Sequence, residues 1–502
     1  MRIFKFLFIS LFFSCCFSEF VYSQKFIHRM GQTIVDSAGK SAALRGVNLS
    51  GWLEWEAWIW GTNGWWPGGF MSETAMTKKL TQLVGNTNTQ LFRQQVYAKY
   101  IDENDIKSIS QSCFNSVRIN LNHIFLEDDS LPFFYKQSGW ALLDTVINRC
   151  ERNKLYVVLD FHSVPGGQSP YFIADPDSGG KILWDVESNK LRTIALWKAV
   201  AGRYKDRTII AGYDLLNEPA PPAGDSLVNL YKRIIQAIRT VDPNHMMIVE
   251  GGNSAYDFSM FTLPLMDNNM TYSFHFYNWF GANEQIEMNK FKTFIEANDV
   301  PMWCGEWGEN SYGKLDTARF TMDDPAYKIS GWCFFTWKQD SSGSSYPDLN
   351  RFVSTTLWKK VIAWMEDAPF APQPTYAEAM QAMSQFIGSV DMNNCTGDAQ
   401  VQAIVNPCSG TPVFENSAKG IDAVIFPNPA RDVIRCDFVA SREEPLNIVV
   451  YDVIGNIVLS EKVRAKRGEN NFILDISGLS GEFYFLRING EKTKSQFKFV
   501  KQ

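Results

Sequence analysis

Positive charge is not in excess in this chain: 48 Lys and Arg stand against 54 Asp and Glu, a formal net charge of -6. A nucleic-acid footprint needs a basic face, so this mild acidity argues against one. Beyond the first two dozen residues no long apolar run occurs, and no membrane-spanning helix is expected in the body of the chain. Nine cysteines show no metal-ligand spacing, and neither a metal nor a cofactor is expected. No glycine-rich phosphate loop follows the first strand-like run, which disfavours a doubly wound dinucleotide-binding sheet.

What the chain does have is length and aromatic surface. Its 502 residues are 45% hydrophobic and 20% charged, enough for one large globular domain and a smaller one. Aromatics reach 14%, with 16 Trp. Sugar rings present flat C–H faces that stack on such rings, while part of the set must simply fill the core. Residues 1–23 read as a secretory signal: Arg2 and Lys5, an apolar run from Phe6 to Phe13, then Val21-Tyr22-Ser23 before Gln24. That run is too short to span a bilayer, so cleavage after Ser23 and export are expected. Of the cysteines left, Cys395 and Cys408 flank a polar segment and are candidates for a small disulfide loop, whereas Cys304 and Cys333 read as buried filler.

Strand-like and helix-like stretches alternate after the signal. The strands predicted are Leu44–Leu49, Ser116–Asn122, Tyr156–Phe161, Ile210–Leu216, Met246–Glu250, Tyr272–Phe276, Met302–Gly305 and Trp332–Thr336. Amphipathic helices such as Leu191–Tyr204 and Leu227–Val241 lie between them. Eight nearly continuous apolar strands interleaved with helices indicate a covered parallel sheet, closed as an α/β (β/α)8 TIM barrel over residues 24–390. Residues 391–420 are polar with several Gly, Ser and Pro and read as a linker. From 421 to 502 the texture becomes short alternating strands, with Ile454-Gly455-Asn456 as a hairpin turn, and a small β-sandwich is expected.

Two glutamates leave strand-like runs: Glu218 in Leu215-Leu216-Asn217-Glu218-Pro219 and Glu306 in Trp303-Cys304-Gly305-Glu306. A carboxyl at a buried strand end costs free energy and wants a function. In this barrel class catalytic groups sit at the C-terminal strand ends, which here offer Arg118, His123, His162, Asn217, Glu218, His275, Tyr277, Glu306 and Trp337. Facing carboxyls are what glycosidic bond hydrolysis requires.

The segments Val117-Arg118-Ile119, Leu159-Asp160-Phe161-His162, Leu216-Asn217-Glu218-Pro219, His275-Phe276-Tyr277, Gly305-Glu306-Trp307 and Phe335-Thr336-Trp337 resemble glycoside hydrolase family 5, in that family's order, over roughly Ile34 to Ile387. The resemblance implies a retaining glycosidase. It makes Glu218 the acid/base and Glu306 the nucleophile, and Asn217 a ligand of the sugar 2-hydroxyl. Arg118 and Tyr277 match partners of the nucleophile, His275 a neighbour of the acid/base, and His162 and Trp337 contacts to the sugar. The run Arg45-Gly46-Val47-Asn48-Leu49-Ser50-Gly51-Trp52-Leu53 is similar to exo-acting β-1,3-glucanases of the family. There Glu56 matches a carboxylate that binds a terminal sugar, while Glu54 and Ala57 depart from the pattern. Linkage and endo or exo action stay open between β-1,4-glucanase, β-1,3-glucanase and mannanase. A glycan-binding surface protein without catalysis is the competing class.

Three further features complete the expectations. Trp65-Trp66 suggests a loop presenting rings to a glycan, and Asp175-Pro176-Asp177-Ser178-Gly179-Gly180 reads as an ordinary turn rather than a calcium loop. Phe426-Pro427-Asn428-Pro429 and Val450-Tyr451-Asp452-Val453-Ile454-Gly455 resemble the C-terminal sorting domain of type IX secretion in Gram-negative bacteria. The resemblance implies a secreted or surface protein. Its expected partners are a β-glucan and the outer-membrane secretion machinery, with no nucleic acid, and the protein is expected to be a monomer.

Overall fold

A computed structural model describes residues 26–62, 71–176, 182–222, 224, 226–262, 266–279, 284–341, 347–407, 423–440, 442–452, 457–480, 483–490 and 494–501. The signal segment, Trp65-Trp66, residues 177–180, Cys408 with the rest of the linker to 420, and the turn at 454–456 lie outside them. The chain divides into two compact units, residues 1–409 and 410–502.

The first unit is a closed ring of eight parallel strands in sequence order: β1 (Leu44–Asn48), β2 (Ser116–Asn122), β3 (Tyr156–Ser163), β4 (Ile210–Asp214), β5 (Met246–Glu250), β6 (Met270–Phe276), β7 (Met302–Trp307) and β8 (Ile329–Phe334), with β8 pairing back onto β1. Helices cover the outer face, so most strand residues are buried on both sides, which is why each strand reads as an apolar run rather than an alternating one. The connecting helices start where sequence chemistry says they should. The helix Glu103–Gln111 opens on an Asp102/Asp105 capping box and Tyr376–Ser389 on a Thr375/Glu378 box, each satisfying two end amides reciprocally.

The linker reading needs correction over residues 391–407. Thr396–Gly397 pairs with Asn350–Phe352, and the helix Ala399–Val405 follows, capped by the Asp398 carboxylate. Val401 and Val405, one helical turn apart, are buried in the core of the barrel unit, and Tyr312 donates to Asp398 at 2.7 Å. Two apolar side chains on one face of a short helix suffice to dock it, a signal the surrounding polar residues hide. The expected Cys395–Cys408 bridge is not formed: Cys395 is a free thiol, and among the described residues it is Cys113 that is disulfide-bonded.

The second unit is a β-sandwich. One sheet has three strands (Ala423–Phe426, Val433–Ala440, Gly468–Asp475) and the other four (Ile457–Ala465, Glu444–Tyr451, Phe483–Asn489, Lys494–Val500). Its separate core includes Ile434, Phe438, Ile448, Val450, Leu474 and Leu486.

Candidate active site

Arg118, on β2, is fully buried at the axis of the barrel. Its guanidinium fork reaches carboxylates from four other strands. Nε donates to Asp214 at 2.9 Å, Nη1 to Glu306 at 2.5 Å and Nη2 to Glu250 at 3.0 Å, with Asp160 3.2 Å from Nη2. Asn48 and Asn217 accept the remaining donors at 3.1 and 3.0 Å. Burial works against the cation, but these carboxylates outweigh it and hold Arg118 protonated. One cation cannot neutralise four acids. Burial and the nearby charges of Glu250 and Asp160 push Asp214 well above the usual carboxylate range, so it keeps a proton.

Glu306, at the end of β7, goes the other way. Burial alone would raise its carboxyl, yet His275, Arg118 and His162, helped by the Tyr277 hydroxyl, bring it down to about 2. Tyr277 donates to Oε2 at 2.9 Å while Arg118 holds Oε1. His275 Nδ1 lies 2.8 Å from Glu218 Oε1 and 3.5 Å from Glu306 Oε2, and its Nε2 is 3.2 Å from Glu250. Burial disfavours charge on that imidazole, but Glu250 and Glu306 raise it well above 6.5, so it stays cationic between the carboxylates. An oxygen of Glu218 and one of Glu306 fall within 4.8 Å of each other.

Glu218 is held by its backbone. Its φ of +42° is a left-handed conformation that costs a non-glycine residue energy. The Glu218 amide donates to Glu250 Oε2 at 2.6 Å, the Asn217 amide donates to the Phe161 carbonyl, and the Gln168 side chain donates to the Asn217 carbonyl. These three bonds fix the turn that aims both side chains inward. Asn217 then spans from Arg118 to His162, whose Nε2 is 3.2 Å from the Asn217 amide nitrogen. His162 Nδ1 contacts Asp160 at 2.8 Å, and Phe335 stacks at 6.5 Å from its ring and 5.9 Å from that of Trp58. Glu56 accepts from the Trp58 indole at 2.7 Å, 3.7 Å from His162.

The structure thus gathers Arg118, Asn217, Glu218, His275, Tyr277, Glu306, His162 and Glu56 around one site. It does not bring Trp337 there. That indole is buried and donates to Asp105 at 2.8 Å, on the helix Glu103–Gln111 outside the ring. Phe335, two residues earlier, faces His162 instead. His123 also turns away, to Asp129 at 3.0 Å. Missed from the sequence were Asp160, Asp214 and Glu250, though Glu250 closes the apolar run Met246-Met247-Ile248-Val249 as Glu306 closes its own. Trp279, 38% exposed and 5.0 Å from the Tyr277 ring, was missed as well.

Paired carboxyls at the C-terminal rim of a (β/α)8 barrel, one kept ionised by a cation and a phenol, belong to the glycoside hydrolases. Comparison with known proteins agrees. The model of the cellulase family, glycosyl hydrolase family 5, matches residues 73–341, and that of a secretion-system C-terminal sorting domain matches 424–502. A beta-xylosidase of Phanerodontia chrysosporium is 31% identical over 55% of this chain and 60% of its own length. Endoglucanase C of Acetivibrio thermocellus is 27% identical over 39% and 56%, and a probable glucan 1,3-beta-glucosidase A of Aspergillus fumigatus 27% over 62% and 79%. The chain therefore spans less than two thirds of the length of the first two. It belongs to glycosyl hydrolase family 5 and carries a type IX sorting domain that marks it for export to the cell surface or beyond. Among the described residues no helix is long and apolar enough to cross a membrane.

Proposed function

We propose that this glycoside hydrolase is a retaining β-glycosidase that cleaves a β-glucan by double displacement, with Glu306 as nucleophile and Glu218 as acid/base. The observation that carries the reading is the approach of the two carboxyls within 4.8 Å. Retaining enzymes space theirs about 5–5.5 Å apart, and inverting ones need about 6.5–9.5 Å to admit a water. In the first step a Glu306 oxygen bonds to the anomeric carbon, the bond to the leaving oxygen breaks, and Glu218 gives that oxygen its proton. The product is a glycosyl ester on Glu306. In the second, a water oxygen attacks the same carbon, Glu218 takes the water's proton, and Glu306 leaves as carboxylate.

The surrounding groups suit these roles. Arg118, Tyr277 and His275 keep Glu306 anionic before attack, when a protonated carboxyl would be useless as a nucleophile. Asn217, between Arg118 and His162, is placed to bind a hydroxyl of the same ring that Glu306 attacks. The relatives' names span xylosidase, endoglucanase and glucan 1,3-glucosidase; two of the three name a glucan, which supports the choice of a β-glucan. Exo action is the second reading, favoured by the buried Glu56 beside the site.

Trapping with a 2-fluoro β-glycoside tests the assignment. A covalent adduct mapped to the peptide bearing Glu306 is expected; active enzyme with the label elsewhere, or none, would overturn it.

A further inference from the structure

Glu54, which departs from the family likeness in the first loop, forms a cluster with Ser50 and Glu56. Between Leu49 and Trp60 the chain is pinned by indole N–H bonds: Trp52 to the Tyr97 carbonyl, Trp55 to the Trp52 carbonyl and Trp60 to the Gly51 carbonyl. Gly51 has φ +73°, and a Cβ there would lie 2.7 Å from Ile59, so the turn requires glycine. This rigid loop buries two carboxyls, Glu54 and Glu56, at 2% and 3% exposure. Both reach one hydroxyl: Ser50 Oγ is 3.1 Å from Glu54 Oε2 and 3.0 Å from Glu56 Oε1.

A serine hydroxyl has one proton to give. Two ionised carboxylates on it would leave one acceptor facing a lone pair, and two buried like charges this close repel strongly. The cations nearby do not resolve the conflict evenly. His162 stands 3.7 Å from Glu56, whereas the Arg93 guanidinium is 3.3 Å from Glu73 and serves that residue. Glu54 instead faces the charges of Glu56, Glu73 and Asp175. Glu56 has His162 and the Trp58 N–H in its favour and Glu306 against it.

We propose that Glu54 is a positioning residue that retains a proton and donates it to Ser50, which in turn donates to Glu56, fixing Glu56 as an anionic acceptor for hydroxyls of the sugar ring beside Glu306. This rests on the reading of Glu306 as the nucleophile. The relay has a defined direction, from acid to hydroxyl to carboxylate. Each proton has one donor and one acceptor, and no atom of the three is left facing a like partner. Glu56 keeps unused lone pairs on both oxygens after accepting from Ser50 and Trp58, since a carboxylate offers about four acceptor sites. Those sites select a glycon whose ring carries free hydroxyls toward the loop.

The titration order supports the same arrangement. Burial first, then Glu56 and Glu73, push Glu54 well above the usual carboxylate range. Burial also raises Glu56, but His162 and Trp58 limit it to about 7. The singly protonated pair therefore exists above about 7 and until Glu54 itself ionises. Past that point two charges repel across Ser50, and glycon binding weakens.

Infrared difference spectroscopy of the full chain at mildly alkaline pH locates the proton without turnover. Wild type minus Glu54→Gln should show the C=O stretch of a neutral carboxylic acid. No such absorption, or one that appears only after a chelator strips a cation from Glu54, Glu56 and His162, would overturn the proposal. The functional arm uses p-nitrophenyl β-glucoside and β-xyloside. Glu54→Ala should raise KM about tenfold with kcat within about twofold, as loss of one hydrogen bond predicts. Glu54→Gln, which mimics the neutral acid, should restore KM and abolish its rise at high pH. A Gln variant as impaired as Ala would show that the charge on Glu54 is what matters and refute the relay. Absence of wild-type turnover would count against the glycosidase reading alone, since the infrared result still decides where the proton sits.

Discussion

Replacing Glu306 by Gln should destabilise the folded protein, and the size of the effect follows from the site. The carboxyl is lowered from an ordinary 4.5 to about 2, which corresponds to about 3 kcal/mol in favour of the ionised form at neutral pH. Gln keeps the shape and loses the charge that Arg118, His275 and His162 face. For a unit of this size, about 3 kcal/mol lowers the thermal midpoint by about 4 °C. The pH dependence has a definite sign. A depressed carboxyl contributes stability that is present above its unfolded value of 4.5 and is lost as pH falls toward 2. The gap between wild type and Glu306→Gln should therefore be full at neutral pH and close below about 4.5. Asp214→Asn is the internal comparison: Asp214 is raised, so the neutral amide should cost well under about 1 kcal/mol. Scanning calorimetry across pH, with both variants, reads all of this. Active-site charges are often replaced with a gain in stability; a raised midpoint for Glu306→Gln, or a deficit independent of pH, would refute the electrostatic origin of the effect.

The remaining predictions concern catalysis and recognition. Glu218→Ala should lower kcat about 10²–10⁴-fold on substrates with poor leaving groups and much less in the first step with dinitrophenyl glycosides, as loss of a general acid requires. Added azide should restore turnover and yield a β-glycosyl azide, and equal losses on both substrate types would count against the assignment. Phe335→Ala should raise KM for oligosaccharides several-fold, whereas Trp337→Phe should leave KM unchanged and cost about 1–2 kcal/mol by freeing one bond to the buried Asp105. The reverse pattern in steady-state kinetics and denaturant melts would restore Trp337 to the sugar site.

All eight barrel strands were legible in the sequence because burial on both faces makes each a short apolar run with little interruption. Glu218 and Glu306 stood out because each leaves an apolar run, yet Glu250 closes one too and was passed over; it holds Arg118 and the Glu218 amide. Asp160 and Asp214 did not stand out, since a charge inside or near a strand looks like a break until Arg118 is seen across the barrel. Trp337 misled because the chain leaves β8 at Phe334, after which strand alternation no longer tells which of Phe335 and Trp337 turns inward. The strands Ala423–Phe426 and Val433–Ala440 lie on either side of Pro427 and Pro429, where a missing amide donor interrupts the alternation. Ser50 and Glu54 carry no periodic signal, and only the tryptophan-pinned loop places them on either side of one hydroxyl.

Arg118 gathers acids from β3, β4, β5 and β7 while sitting on β2 itself. No arc of fewer than six strands contains both the guanidinium and its full complement of anions. A half-barrel β1–β4 would keep Asp160 and Asp214 with the cation and leave Glu250 and Glu306 on β5–β8 without it. Assembly of the catalytic centre therefore requires the two halves of the ring to meet, and activity should vanish as soon as those halves part rather than fade ahead of it.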